Sequence, residues 1–507
     1  MAKGSREPVL YAGCGQDSGK DSTYPAGVLD LFAALAMAKP PAPAVEVRER
    51  AVIVHVSPKA ARYRVQIKAA GHRWKPARTS RKRHIRLTLD PGSYRVRAQV
   101  KRTRWGPPGK ASAWFEVQRR HLWVNPSGSD SAPGTRSQPL RSVTEAWARV
   151  RAQPGISTAV HVSGTAQSPG YWEDYAGAPV TFIGGEFTND INMYRVANVT
   201  FDGVRIHRAG DVFHCERCEN VTLRNVDFDG QGAAHETIKV NQSSHITIRD
   251  SIITGTYENA IDFVAVQHAL IADNDISNGP DPGTDWCAYV KGGSAHITVR
   301  DNHIHHCGTG GFTAGQGTGF EFMVAPWLHY EAEDIDVFDN VIHDTDGAGL
   351  GVNGGHHIRM SGNVLHHTGY RSHAVEFVHG ARSCDGDTAA CQAYNNTSGW
   401  GGVGMDGQYI PNKDVWFGNN VIANDPGRGS RWQQVQVGEP VQPPRGSNVP
   451  SPSRADDGLT ITNNIFWNDA PETGYPLPGN RVNTLDPQVD PVTHRPQVSL
   501  PAVAVPR

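Results

Sequence analysis

An Asn or Asp placed at a tight turn, with two or three apolar residues after it, returns along the chain from about Val196 to Asp469 every ~22–28 residues, the period range of a solenoid. It occurs as Asn225-Val226, Asn274-Asp275-Ile276, Asn302-His303-Ile304, Asn340-Val341-Ile342, Asn363-Val364-Leu365, Asn420-Val421-Ile422 and Asn464-Ile465-Phe466. An alternating stretch precedes each turn, such as His245-Ile246-Thr247-Ile248 or His296-Ile297-Thr298-Val299. Alternation sends one set of side chains inward and the other outward. The repeat therefore predicts short strands wound into a coil, one coil per repeat. Stacked coils make a long wall, on which function lies in columns of outward side chains and not in one contiguous motif.

The rest of the composition bounds what such a wall can meet. The 507 residues carry a net charge of −1, so whole-chain charge does not point to nucleic acid. Arg78, Arg81, Lys82, Arg83, Arg102 and Arg104 crowd the segment 45–120, which leaves the repeat region net acidic. No run of ~18 apolar residues is present, so no membrane span is expected, and a monomer is. Of the seven cysteines, Cys384 and Cys391 flank a short polar loop, and Cys287 and Cys307 lie about one coil apart; either pair is a candidate disulfide. Cys215 and Cys218 have the spacing of half a zinc site, with no second pair close behind. These cysteines fit an exported protein. Val28 to Ala38 is apolar and ends in Ala36-Met37-Ala38, like a signal-cleavage site, although Asp30 interrupts it. An extracellular or periplasmic location is expected.

Four segments follow. Residues 1–44 read as a leader closing in the linker Lys39-Pro40-Pro41-Ala42-Pro43. Residues 45–120 hold alternating runs, including Ala51-Val52-Ile53-Val54-His55-Val56 and Tyr63-Arg64-Val65-Gln66-Ile67, and read as a small β-sandwich. Its end, Tyr94-Arg95-Val96-Arg97-Ala98 with Trp105-Gly106-Pro107-Pro108-Gly109, resembles the closing strands of a fibronectin type III module. Residues 121–470 are the solenoid, and 471–507 a Pro-rich tail. The solenoid opens with His121-Leu122-Trp123-Val124-Asn125-Pro126-Ser127-Gly128-Ser129-Asp130, then Ser142-Val143-Thr144-Glu145-Ala146-Trp147-Ala148-Arg149-Val150 at helical spacing, with Ser142 and Glu145 placed for a capping box. A stack of coils leaves strand edges and apolar core open at its end, and a short amphipathic helix there would cover them.

Aligning the strand after each turn gives an outward column of His214, Lys239, Asp262, Tyr289 or Lys291, Glu321, Gly351 and Glu376, spaced by the ~4.8 Å between neighbouring strands. Glu236, Asn259, Asp285, Trp286, Trp327, His329, Tyr330, His373, Arg382 and Asp385 fall on loops beside it. Two chemistries suit the column. A polysaccharide lyase needs a base, here Lys239 or Lys291, to remove the proton beside a uronate carboxylate. It also needs a cation on that carboxylate: Ca²⁺ held by Glu236, Asp262 and Glu321, or Arg382 as a clamp. A glycoside hydrolase or an epimerase would use two paired carboxylates, for which Asp262 and Glu321 are the candidates. Trp286, Tyr289, Trp327, His329, His373 and Glu376 are candidate sugar contacts. A non-catalytic glycan-binding wall is the third reading.

By its cap and coils, over about 121–470, the chain resembles the pectate-lyase-like superfamily of right-handed parallel β-helices, most nearly the calcium-dependent lyases with a Lys base. The resemblance implies an all-β fold, an extracellular enzyme and cleavage of an acidic polysaccharide by β-elimination.

Overall fold

The computed structural model describes residues 42–48, 51–56, 60–87, 89, 92–101, 105, 107–117, 119–278, 285–318, 322, 324–325, 330–382, 409–438, 454–468, 476–498 and 503–506. The leader up to residue 41, Cys14, Cys384 and Cys391 lie outside these residues. So do Glu321, Trp327, His329 and Asp385. The chain divides into two compact units, Met1–Val117 and Gln118–Arg507.

In the first unit, strands Ala44–Arg48, Ala51–His55 and His84–Leu87 form one antiparallel sheet, and Lys75–Ser80, Arg62–Ala69, Gly92–Lys101 and Phe115–Val117 form another. Val52, Val54 and Ile85 from the first meet Val65, Ile67, Val96 and Ala98 from the second in one buried cluster, which makes the unit a sandwich.

The second unit is a stack of coils whose long sheet, from the strand Arg120–Val124 to Arg481–Val482, is parallel; beside it Gly380–Arg382 pairs antiparallel with Tyr409–Ile410. Three walls emerge. On one, Thr222, Thr247, Leu270, Thr298 and Asp336 occupy one register position in successive coils. Their neighbours Ile246, Ile248, Ile297, Val299, Ile335 and Val337 point into the core. The strands Asp275–Ser277, His303–Cys307, Val341–Thr345 and Val364–Thr368 belong to a second wall. The third carries the candidate site.

The repeating asparagines have one structural role. Asn274, Asn302, Asn340, Asn363, Asn420 and Asn464 are buried and stacked, each side-chain amide donating to the Oδ1 of the next at 2.9–3.0 Å. Each amide also donates to a backbone carbonyl of the preceding coil, as Asn340 does to Val299 at 3.0 Å. The ladder satisfies backbone groups that a buried corner would otherwise leave unmet. The residue before each rung lies at positive φ: Asp273, Asp301, Asp339, Gly362, Asn419 and Asn463. Asp and Asn tolerate that region better than other non-glycine residues. Asn225 belongs to this left-handed row (φ 52) and not to the buried ladder; Ser251 holds the rung in the coil that follows.

The helix Val143–Ala152 covers the open end as expected, with Val143, Ala146, Trp147 and Val150 buried. Trp147 packs 4.9 Å from Trp172 and 5.0 Å from Tyr175, centroid to centroid. The capping box is only half formed. Glu145 N donates to Ser142 Oγ at 3.1 Å, but the Glu145 carboxylate turns to Arg149, and Ser142 N donates instead to Asp130 Oδ1 at 2.9 Å. Cys287 and Cys307 are disulfide-bonded, and Cys215 is bonded to Cys218, so the latter two do not form half a zinc site.

Candidate active site

On the third wall the backbone register runs Asn192, His214, Lys239, Asp262, Tyr289, Thr313, Gly351, Glu376, Gln436. Thr313 stands where the sequence alignment put Glu321. The strand of that coil is Gly310–Gly315, and Phe312-Thr313-Ala314 supplies the in-out-in pattern there. Lys291 is two places beyond Tyr289 and pairs with Val264.

The middle of the column is a charge cluster built across two coils. The Lys239 ammonium donates to Glu236 Oε1 at 3.0 Å and, on its other side, to Asp262. Asp262 has no exposed surface and Glu236 is 9% exposed. Burial alone would lower the Lys239 pKa, but the two carboxylates outweigh it and the net shift is upward. Lys239 is therefore an ammonium at neutral pH and not the free amine that the base role required. It also sits where calcium was expected. Calcium takes about 6–8 oxygen ligands, and Glu236 and Asp262 already share an internal cation. The described residues do not fit a calcium centre at this point.

Two histidines flank the cluster with opposite shifts. His214 is one coil from Lys239; burial is the main cause that lowers its pKa, with Lys239 adding to it, and the imidazole is neutral at pH 7. His235 is shifted upward: burial opposes, but the contact with Glu236 at 2.6 Å and the charge of Glu258, 2.9 Å from the other ring nitrogen, win. Asp211 fixes the turn that holds it, accepting from His235 N at 2.8 Å and Glu236 N at 3.3 Å. His235 escaped the sequence alignment because it lies before the column, in the long strand Asp227–Asn241, whose pairing is irregular between Asp229 and Glu236.

Tyr289 is 3% exposed and donates from its hydroxyl to Asn259 Oδ1 at 2.8 Å. Burial and the nearby Asp262, Asp285 and Glu236 carboxylates push its pKa well up. Lys291 lies 4.1 Å over the Tyr289 ring and donates to Gln316 Oε1 at 3.1 Å. Trp286 is also 3% exposed. Its indole lies over Gly310 and Gly351, where an added Cβ would come within 2.4 and 2.7 Å of it. It packs on the wall and offers no free face to a sugar, which corrects the stacking role expected of it. Glu376 ends the acidic part of the column; burial raises its pKa against the Asn353 amide at 3.4 Å. His373 contacts the Gln433 carbonyl at 3.0 Å and lies 5.1 Å from Trp432, an exposed aromatic that the sequence reading did not select. Arg382 ends the strand Gly380–Arg382.

Residues 189–325 match the family model described as the right handed beta helix region. The fold is a right-handed parallel β-helix. No curated protein matches the chain. Solved structures similar to this β-helix include the A-module of Azotobacter vinelandii mannuronan C-5 epimerase AlgE4, at 13% identity over 67% of this chain and 94% of that one, with a TM-score of 0.42. Another is PfbA, a surface adhesin of Streptococcus pneumoniae, at 10% identity over 63% of this chain and 79% of that one, TM-score 0.38. A third is pectate lyase Pel9A, at 13% identity over 70% and 81%, TM-score 0.35. The comparisons give no support to a fibronectin type III identity for the N-terminal sandwich. Among the described residues, no helix is long and apolar enough to cross a membrane.

Proposed function

We propose that the β-helix processes an acidic, uronate-containing polysaccharide by removing the proton beside a uronate carboxylate, and that it completes the reaction by β-elimination. One observation carries the reading: two histidines beside the Lys239 cluster, His214 and His235, have their pKa values shifted in opposite directions. Environments that drive two titratable groups apart are how a site obtains a base and an acid at one pH. In this reading His214, neutral, takes the C5 proton. Lys239 spends two of its three N–H donors on Glu236 and Asp262, and the third is directed to the substrate carboxylate, where it stabilises the enolate that forms. His235, whose pKa is raised by Glu236 and Glu258, gives its proton to the oxygen that leaves. Lys291 has no part in this scheme.

The hydrolase alternative is weaker. Asp262 has no exposed surface with which to approach a sugar, and the column position meant for its partner Glu321 is held by Thr313. Epimerisation shares the first step and differs only in where the proton returns. The proposal includes an extracellular or periplasmic location, which such a substrate and the disulfides would suit.

Turnover on a panel of uronate polymers tests the reading. An unsaturated product, formed equally with and without chelator and absent with His214→Gln, supports it. New reducing ends without unsaturation indicate hydrolysis. Tight binding with no turnover on any polymer indicates a glycan-binding wall and overturns the proposal.

A further inference from the structure

The N-terminal sandwich carries a charged face that the proposed reaction does not use. Residues 45–117 hold nineteen Lys and Arg against four Asp and Glu, whereas residues 118–507 hold twenty-six against forty-two. A polyanion is therefore repelled by the net charge of the β-helix and attracted by that of the sandwich. The cations of the sandwich are ordered. In the strands Arg62–Ala69 and Gly92–Lys101, Tyr63, Val65, Ile67, Val96 and Ala98 point into the core, so alternation turns the residues between them outward. On that outer face Arg62 stands opposite Lys101, Arg64 opposite Gln99, Gln66 opposite Arg97 and Lys68 opposite Arg95. Two of these four pairs set cation against cation, an arrangement that destabilises a sheet. Among the described residues, no ion pair joins any of these six cations to a carboxylate; Glu46 pairs with His55 instead.

Tryptophans stand where carboxylates are missing. Trp105 lies 4.3 Å from the Arg64 guanidinium, Trp74 lies 4.4 Å from that of Arg97 and 5.5 Å from that of Arg95, and Trp114 lies 4.9 Å from that of Arg95. A ring over the face of a guanidinium holds it in place and leaves the N–H fork in its plane open to an anion. Arg97 is fixed further by its Nε, which donates to Gln66 Oε1 at 2.8 Å and leaves the terminal nitrogens to a ligand. Trp114 is 47% exposed and presents apolar ring surface beside the row. We propose that this face binds an acidic polysaccharide. Arg64, Arg95 and Arg97 take its carboxylates and Trp114 packs on a sugar ring. A long polymer held in this way stays at raised concentration for the β-helix of the same chain. The choice of a uronate polymer over other polyanions rests on the function proposed above; the anion-binding face rests on its own residues.

Retardation of the full chain in native gels that contain polygalacturonate, alginate or neutral dextran reads binding without turnover, so this inference and the proposed reaction can fail separately. The expected result is retardation by an acidic polymer, weakened by salt, and none by dextran. Arg64→Gln with Arg97→Gln should weaken binding by at least about tenfold with the thermal transition near that of the wild type, and Trp114→Ala should weaken it as well. Arg81→Gln with Lys82→Gln removes the same charge from the exposed turn between Lys75–Ser80 and His84–Leu87 and should leave binding nearly unchanged. Equal losses from the two double variants would show diffuse charge attraction and overturn the proposal. So would the absence of retardation by either acidic polymer, retardation that survives every substitution, or tighter binding of a DNA duplex at the same salt. Self-association at low salt that Arg64→Gln with Arg97→Gln abolishes would assign the face to a second copy of the chain and overturn it too.

Discussion

Lys239 donates to the carboxylate of Asp262 one coil away, and Asp262 has no surface of its own in contact with solvent. This ion pair fixes the protonation state of the candidate site. Removing one partner of a buried pair leaves an uncompensated charge and costs about 3–5 kcal/mol. The 20% exposure of the Lys239 side chain puts the cost at the lower end. Lys239→Met is therefore expected to destabilise the chain by about 3 kcal/mol in urea unfolding and to abolish turnover. Lys239→Met with Asp262→Asn should recover most of the stability and none of the activity. Recovery of both would show that Lys239 only neutralises Asp262.

The His214 shift sets the acid side of the rate profile. Its pKa is lowered from the ordinary 6.5, so the neutral, proton-accepting form persists to pH values below 6.5 and is lost as acid is added beyond the folded value. The rate on a uronate polymer should hold between pH 7 and 6.5 and fall, with unit slope, at more acid pH. His214→Gln should remove the activity at every pH while leaving the thermal transition near that of the wild type.

Much of the fold was legible in the chain because its signals are local. The Asn repeat marks a buried corner in every coil where it forms a rung, and the Ser142 to Val150 segment has both the cap residue and the apolar stripe of a terminal helix. The candidate site was legible only as far as its register. His214, Lys239, Asp262, Tyr289, Gly351 and Glu376 were placed in one column by alternation alone. That same alternation could not distinguish Phe312-Thr313-Ala314 from Phe320-Glu321-Phe322, since both read as inward, outward, inward; the strand that pairs with Tyr289 is the earlier one. Nor does spacing in sequence reveal a protonation state. The upward shift of Lys239 comes first from Asp262, a residue 23 positions away, and then from Glu236, and the shift of His235 depends on an irregular stretch of strand. His494 is brought to His366 across 128 positions, by a tail with no repeat to predict its path.

Gly351 tests whether Trp286 is a packing element. A Cβ there would stand 2.7 Å from the indole and 3.1 Å from Thr313 Oγ1. Gly351→Val should cost about 1–3 kcal/mol through overpacking and expose Trp286, seen as a red shift of tryptophan emission. An unchanged melting temperature and spectrum would mean that the indole is free to move, as a sugar platform would be.

Glu376 gives a stability slope of known sign. Burial raises its pKa above the ordinary 4.5, so the folded chain holds a proton that the unfolded chain releases. Its contribution is favourable below pH 4.5 and is lost as pH rises through the folded value. Glu376→Gln should stabilise the chain at pH 7 relative to the wild type and make no difference at pH 4. Equal stability at both pH values would show that the carboxyl is solvated.

The most direct test of proton removal is to run the reaction on a uronate polymer in D₂O and follow the sugar C5 position by NMR. The account predicts that the wild type produces either an unsaturated uronate or deuterium at C5, and that folded His214→Gln produces neither. New chain ends with C5 still carrying its original proton would contradict it.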